Sequence, residues 1–251
     1  MHQPYPVLHQ DVNLIQKDLS GMSGSDEGWT LVYWDVCPGR AEFLRLLFEE
    51  AGVLYTEVND RDIIIKDVIK GEGGLYPHFA PPVIKKGKFS LSQTHVASRY
   101  LAGKFGLLPI DEEEAAHAEQ VNLTCHDYIA EGRLAFHGIY PTGPYATQKE
   151  TTQPYIDRFL ESRLPRWLQY FERLLKSKDD GKGFVVGKSL SYADLGLLHV
   201  LRATEAQFPA AWEAEDVPAL KAFKKRIEAR PKLAAYLTSS RCQPFSGDSM
   251  M

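Results

Sequence analysis

The hydrophobic positions follow different periods in the two halves of the chain. Up to residue 107, short apolar runs such as "WTLVYW" (29–34) and "LYTEV" (54–58) alternate with segments of helical spacing. After residue 110 the short runs stop, and apolar residues recur at helical spacing over long stretches. Strands favour short apolar or alternating runs, and helices favour a period of about 3.6 residues. The pattern therefore predicts an α/β half followed by an all-α half.

In the first half the predicted elements follow the order strand, helix, strand, hairpin, helix. The segment "GRAEFLRLLFEEAG" predicts a helix that stops at Gly52, and "SQTHVASRYLAGKFG" predicts one that stops at Gly106. Between them, "VIKKGKFSL" reads as two short strands around a Lys-Gly turn. A strand–helix–strand crossover and a hairpin together predict a small mixed sheet covered by helices.

The second half contains four long segments of helical period, at residues 111–139, 155–177, 191–208 and 217–230. The third begins with "LSYADL", in which Ser191 and Asp194 form a capping-box pair and Leu190 and Leu195 form a hydrophobic staple. We predict domains at 29–107 and 111–240, with a flexible extension at 1–28 and a tail at 241–251.

The composition and charge of the chain limit the kinds of partner that it is expected to bind. The chain of 251 residues has a formal net charge of −4, so no basic field favours nucleic acid or an anionic membrane. Neither a signal peptide nor a membrane span is evident, which favours a cytoplasmic protein. The three cysteines are too few and too scattered for a disulfide framework, and no metal site is predicted.

Four segments in the same order resemble a cytosolic glutathione transferase: "VYWDVCPGRAEFLR", "PPVIKKGKFSLSQTHVASRYLA", "GKGFVVGKSLSYADLGLL" and "LKAFKKRIEARPKLAAYL". The "GRAE" is most similar to the sigma class, with the alpha, mu and pi classes close behind. The resemblance implies a thioredoxin-like N-terminal domain, an all-helical C-terminal domain and a homodimer. It also implies glutathione as cosubstrate and small hydrophobic electrophiles as substrates.

The resemblance places Tyr33 where the tyrosine-type classes hold the hydroxyl that stabilises the glutathione thiolate. Arg40 resembles the arginine that supports this site at the start of the first helix. Cys37 is the alternative, because "CPGR" is similar to the Cys-Pro start of the first helix in omega-class transferases and glutaredoxins. A cysteine at a helix N-terminus has a favoured thiolate. Tyr33 and Cys37 therefore predict different chemistry.

Glutathione contacts are implied at two further motifs. Pro82 matches the cis-proline of the family, and Pro81 takes the place of a residue that offers backbone N–H and C=O to the cysteinyl group. Because proline has no N–H, we predict weakened glutathione binding. Gln93 and Thr94 match the pair that holds the γ-glutamyl carboxylate at a helix N-terminus.

Other assignments rest on weaker matches. For the glycyl carboxylate the second helix offers Arg61, Lys66 and Lys70, of which Lys70 is our choice. Asp127 is a substitute for the acidic group that relatives contribute from the partner subunit. The electrophile pocket is expected at four residues, Trp34, Val36, Phe136 and Tyr140. Two alternatives to a conjugating enzyme are a Cys37-dependent thiol-transferase and a non-catalytic ligand carrier or scaffold of the same family.

Overall fold

A computed structural model describes residues 28–35, 37–141 and 143–245. The predicted extension at 1–28 lies outside the described residues except for Gly28, and so does Val36. The first half contains a four-stranded sheet: β1 (Trp29–Val32), β2 (Tyr55–Val58), β3 (Val83–Lys86) and β4 (Phe89–Leu91). Its helices are α1 (Glu42–Ala51), α2 (Arg61–Ile63) and α3 (Thr94–Phe105), with a π-helical turn Ile64–Ile69 after α2.

The sheet order is β2-β1-β3-β4. Strand β1 pairs in parallel with β2 and antiparallel with β3, and β3 pairs antiparallel with β4. Helix α1 ends at Gly52 and α3 at Gly106, both in the left-handed conformation, so the two predicted stops are confirmed. The mixed sheet predicted from the crossover and the hairpin is also confirmed.

The described part of the second half contains no strand, and its α-helices are α4 (Glu112–His137), α5 (Lys149–Arg158), α6 (Leu164–Lys176), α7 (Tyr192–Gln207), α8 (Pro209–Ala214), α9 (Pro218–Glu228) and α10 (Pro231–Leu237). The predicted helix at 155–177 differs from the structure. A π-helical turn, Phe159–Arg163, separates α5 from α6. Pro165 lies in the first turn of α6 and has no N–H to bond the preceding turn, which accounts for the interruption.

One apolar core runs through both halves. Leu31 and Phe48 from the sheet half and Leu198 and Phe223 from the helical half belong to the same buried cluster. The capping box of α7 is present, and Asp194 accepts from the Ser191 N–H at 2.8 Å and from the Val185 N–H at 2.8 Å. The predicted tail is partly docked, since Phe245 packs on the core and Arg241 pairs with Glu49 of α1.

Candidate functional site

A cavity of about 310 Å³ lies where the start of α3 faces α4. Five of the residues predicted for the site line it together: Arg40, Pro81, Pro82, Gln93 and Thr94. Sequence reasoning missed the other lining residues, which are Phe79, Ala80, Ser92, His95 and His126. None of the described residues that line this cavity carries a carboxylate, so none of these side chains would repel an anion bound there.

The floor of the cavity is the N-terminus of α3. Gln93 has φ 63° and makes no side-chain cap, and Thr94, the first residue of the helix, is buried. The first N–H groups of a helix lack intrahelical acceptors, and the helix dipole favours negative charge there. Because the Gln93 side chain does not cap the helix, it leaves these N–H donors to an anionic ligand.

The cavity wall includes the predicted cis-proline. The Pro81–Pro82 bond is cis, and Pro82 is buried directly before β3. Pro81 lines the cavity but carries no N–H. The weaker glutathione binding expected from this residue stays a prediction.

Arg40 contributes the cation of the site. Among the described residues, its guanidinium has no hydrogen-bond or ion-pair partner, although its side chain lines the cavity. Burial lowers the pKa of Arg40, while the nearby Tyr33 raises it. An arginine stays charged in proteins, so this half-buried positive charge is available to a carboxylate.

Arg45 holds the segment that carries Arg40. Its side chain is fully buried and donates to Glu57 at 2.8 and 3.0 Å, to Glu42 at 3.3 Å and to the Pro38 carbonyl at 2.9 Å. Sequence reasoning missed this role. The signal was one arginine within the apolar run of "EFLRLLF", which marks a charge that must be paired inside the protein.

Tyr33 is buried behind this segment rather than on the cavity wall described above. Its hydroxyl oxygen accepts from the Arg40 N–H at 3.0 Å. Burial raises the pKa of Tyr33 to about 12, and Cys37 adds to the rise, while the Arg40 N–H and the charges of Arg40 and Arg45 oppose it. The phenol therefore stays protonated at neutral pH and keeps a proton to donate.

Cys37 does not lie at the start of α1. The helix begins at Glu42, and the intervening residues 38–41 form turns. Burial raises the pKa of the Cys37 thiol, although Arg45 and Arg133 act in the opposite direction. The helix-terminus argument for a Cys37 thiolate is therefore wrong in its geometry, and the reactive form of the thiol is disfavoured.

The remaining predicted residues lie elsewhere. Lys70 is exposed at the end of the π-helical turn, and Asp127 is exposed on α4. Phe136 is buried in the core against Tyr145 and Phe208, because the apolar face of α4 here packs on its own domain. Trp34 is half-buried, and Tyr140 is 65% exposed after α4.

The fold defines a class of protein in which a thioredoxin-like domain packs against an all-helical domain, with the cavity between the start of α3 and α4. A family profile described as "Glutathione S-transferase, C-terminal domain" matches residues 136–240. The "Glutathione S-transferase P 1" of Xenopus laevis is 33% identical over 221 residues, covering 84% of this chain and 92% of that protein. The human "Glutathione S-transferase P" is 30% identical over 214 residues, covering 84% of this chain and 92% of that protein.

A solved structure shares the fold. "Structure of Onchocerca Volvulus Pi-class Glutathione S-transferase" superimposes with a TM-score of 0.68 at 26% identity, covering 83% of this chain and 91% of that one. The chain belongs to the glutathione S-transferase family and is a glutathione transferase. None of the described helices has the length and apolar character needed to cross a bilayer.

Proposed function

We propose that the cavity holds the γ-glutamyl end of glutathione, with its carboxylate at the N-terminus of α3. The observation that carries this proposal is the unpaired guanidinium of Arg40 in a cavity lined by no described carboxylate. Gln93 and Thr94 place the carboxylate, and Pro81 offers its carbonyl to the cysteinyl group. A charged ligand that restores a partner to Arg40 gains a strong, charge-assisted hydrogen bond.

Tyr33 is proposed to stabilise the glutathione thiolate. A free thiol has a pKa of about 8.5, and lowering it by about 2 units requires roughly 2.7 kcal/mol of preferential stabilisation of the anion. The Tyr33 hydroxyl keeps its proton, and its oxygen accepts from the Arg40 N–H, which polarises the phenol as a donor. Arg40 supplies positive charge from the same segment.

The test is a pH titration of the protein–glutathione complex, followed by the ultraviolet absorbance of the thiolate. In wild type the thiolate should form well below pH 8.5, and in Tyr33→Phe it should form near the free value. Cys37→Ser is the matched control and should titrate as wild type. If Cys37→Ser abolished reduction of glutathione mixed disulfides while Tyr33→Phe changed nothing, the thiol-transferase alternative would replace this proposal.

The proposed second substrate is a small hydrophobic electrophile. Support comes from Trp34, which is half-buried beside Tyr33 at the end of β1, and from the exposed ring of Tyr140. Phe136 is enclosed in the core and therefore cannot line this pocket. Trp34→Ala should raise KM for an aromatic electrophile and leave KM for glutathione unchanged.

A homodimer is proposed as the working form. Phe79 is 93% exposed on the segment before β3, and a groove of about 320 Å³ beside α6 is lined in part by Trp167 and Tyr170. An exposed aromatic ring and a groove lined by aromatic side chains are two complementary features that favour self-association. Asp127, exposed on α4, would then serve the cavity of the partner subunit. Phe79→Ser should shift the mass measured by light scattering toward the monomer.

The proposal also covers the transferase class of the protein and its cellular compartment. The relatives named above belong to the P or pi class, whereas the "GRAE" motif favours the sigma class, so we propose the tyrosine-type group that contains both. All three cysteines are free thiols, which supports the reducing cytoplasm as the compartment. Cell fractionation with a marker for each compartment tests the second point.

A further inference from the structure

A histidine on α4 lines the cavity without a hydrogen-bond partner. His126 is only 7% exposed, and neither ring nitrogen has a partner among the described residues. A buried polar group without a partner costs free energy, so such groups in folded proteins nearly always have a reason to be there. A half-turn of the ring exchanges each nitrogen for a carbon, so the edge on the cavity can present a donor without backbone movement.

The surroundings of His126 fix the plane of its ring. The imidazole stacks on Phe43 of α1, with ring centroids 4.1 Å apart and planes at 27°. His95 of α3 lies edge-on with its centroid at 5.9 Å. His199 of α7 lies edge-to-face with the same Phe43 ring, with centroids 4.7 Å apart. Packing therefore holds the plane of the ring, and neither ring nitrogen is committed to another of the described residues.

Arg40, the arginine that lines the cavity with His126, is positively charged. Burial, with smaller contributions from Arg40 and His95, lowers the pKa of His126 to about 3, so the imidazole is neutral at physiological pH. A neutral imidazole offers one N–H donor and one acceptor. The groups that face it from the packed elements are Arg40, His95 and His199. An incoming carboxylate would supply the one charge that this set lacks.

We propose that His126 is a substrate-binding residue whose ring N–H donates to the α-carboxylate of the γ-glutamyl group. This inference rests on the proposed function, because the carboxylate is the one bound by the N-terminus of α3 and Arg40. His126 adds a third side to the anion site, from the helical domain, and so couples glutathione binding to both halves of the chain. It also makes the site selective for ligands that carry this carboxylate.

The experiment compares two ligands by calorimetry: glutathione and an analogue in which 4-aminobutyrate replaces the γ-glutamyl residue, so that only the α-carboxylate is missing. In His126→Phe, which can still stack on Phe43, glutathione should bind about tenfold more weakly, as expected for losing a hydrogen bond to a charged group. The analogue should bind equally to wild type and variant. His126→Gln, which keeps an N–H donor, should recover part of the loss.

His199→Phe is the matched control, because His199 packs on the same phenylalanine but is not among the residues that line the cavity. It should leave both affinities unchanged. Equal glutathione affinity in wild type and His126→Phe would overturn the inference, and so would an equal loss for both ligands. If wild type itself bound the two ligands equally, the proposed anion site would fail, which is a separate result from a failure of His126 alone.

Discussion

The backbone N–H of Arg40 donates to the hydroxyl oxygen of Tyr33 at 3.0 Å, although the two residues lie seven positions apart. Gly39 makes this approach possible. It has φ 52°, and a Cβ at this position would lie 2.3 Å from the Tyr33 hydroxyl. The hydroxyl and the guanidinium of the proposed thiolate site are thus brought together by one glycine.

Gly39→Ala should disrupt this contact. The left-handed conformation costs an alanine about 1–2 kcal/mol, and the contact with Tyr33 adds to that, so we expect at least about 2 kcal/mol of lost stability. Urea unfolding measures the loss, and thiolate titration should show a raised glutathione pKa. In the Tyr33→Phe background the same substitution should cost less, because the nearest atom is gone. An equal cost in both backgrounds would show that the hydroxyl contact adds nothing to the effect of the backbone conformation and of the remaining ring contacts.

Arg45→Met should be among the most destabilising single substitutions in the sheet half. It leaves Glu42 buried without its neighbouring arginine and removes the donor to Pro38, so we expect a loss of about 3–5 kcal/mol in the free energy of unfolding. The control is Arg99→Met, which breaks the exposed pair with Glu119 and should cost no more than about 1 kcal/mol. Similar losses for the two variants would contradict the role given to Arg45.

The fold followed from periodicity because each half keeps one period over many residues. Where the prediction failed, a local contact had overridden the pattern. The helix expected from "GRAEFLR" starts only at Glu42, since Gly39 takes a left-handed turn and Arg40 uses its N–H on Tyr33. That shift moved Cys37 away from the helix terminus, which no spacing rule could show.

The sequence predicted those site residues whose role depends on a local backbone feature, such as the cis-proline Pro82 and the helix start at Gln93 and Thr94. It did not predict those whose role depends on which elements pack together. Helical spacing marks His126 and Phe136 alike as residues on buried faces of α4. Only the packing shows that His126 meets a cavity while Phe136 meets Phe208.

Pro81→Ala should tighten glutathione binding. The substitution restores a backbone N–H to a residue that lines the cavity, and a hydrogen bond of this kind contributes about 0.5–1.5 kcal/mol. We therefore expect Kd for glutathione to fall by a factor of roughly 2 to 12. Calorimetry measures it, with circular dichroism to establish that the variant is folded. An unchanged Kd would mean that the missing N–H is not a determinant of affinity.

The start of α7 should depend more on Asp194 than on Ser191. Ser191→Ala removes one capping side chain and should cost about 1 kcal/mol. Asp194→Ala leaves the buried N–H groups of Val185 and Ser191 without their acceptor, which should cost roughly 2–4 kcal/mol. Thermal unfolding of the two variants and wild type gives the comparison. Equal losses would show that the box acts as one unit.

The two buried histidines on Phe43 should make the protein sensitive to acid. Burial is the main cause that lowers the pKa of both His126 and His199 to about 3, against 6.5 for an ordinary histidine. Unfolding therefore takes up a proton at each site once the pH is below about 6.5. The stability that these groups contribute is complete above that pH and is lost progressively as the pH falls toward the folded values.

Each histidine should add about 1.4 kcal/mol per pH unit to the slope of unfolding free energy between roughly pH 6 and pH 4. Urea unfolding is measured at several pH values in wild type and in the double variant His126→Phe/His199→Phe. The difference between the two proteins separates the contribution of the histidines from that of the carboxylates. In the variant, the slope of unfolding free energy against pH should be smaller by the contribution of about two protons. Parallel curves for the two proteins would mean that the imidazoles are already protonated in the folded state, and the neutral ring required of His126 would have to be abandoned.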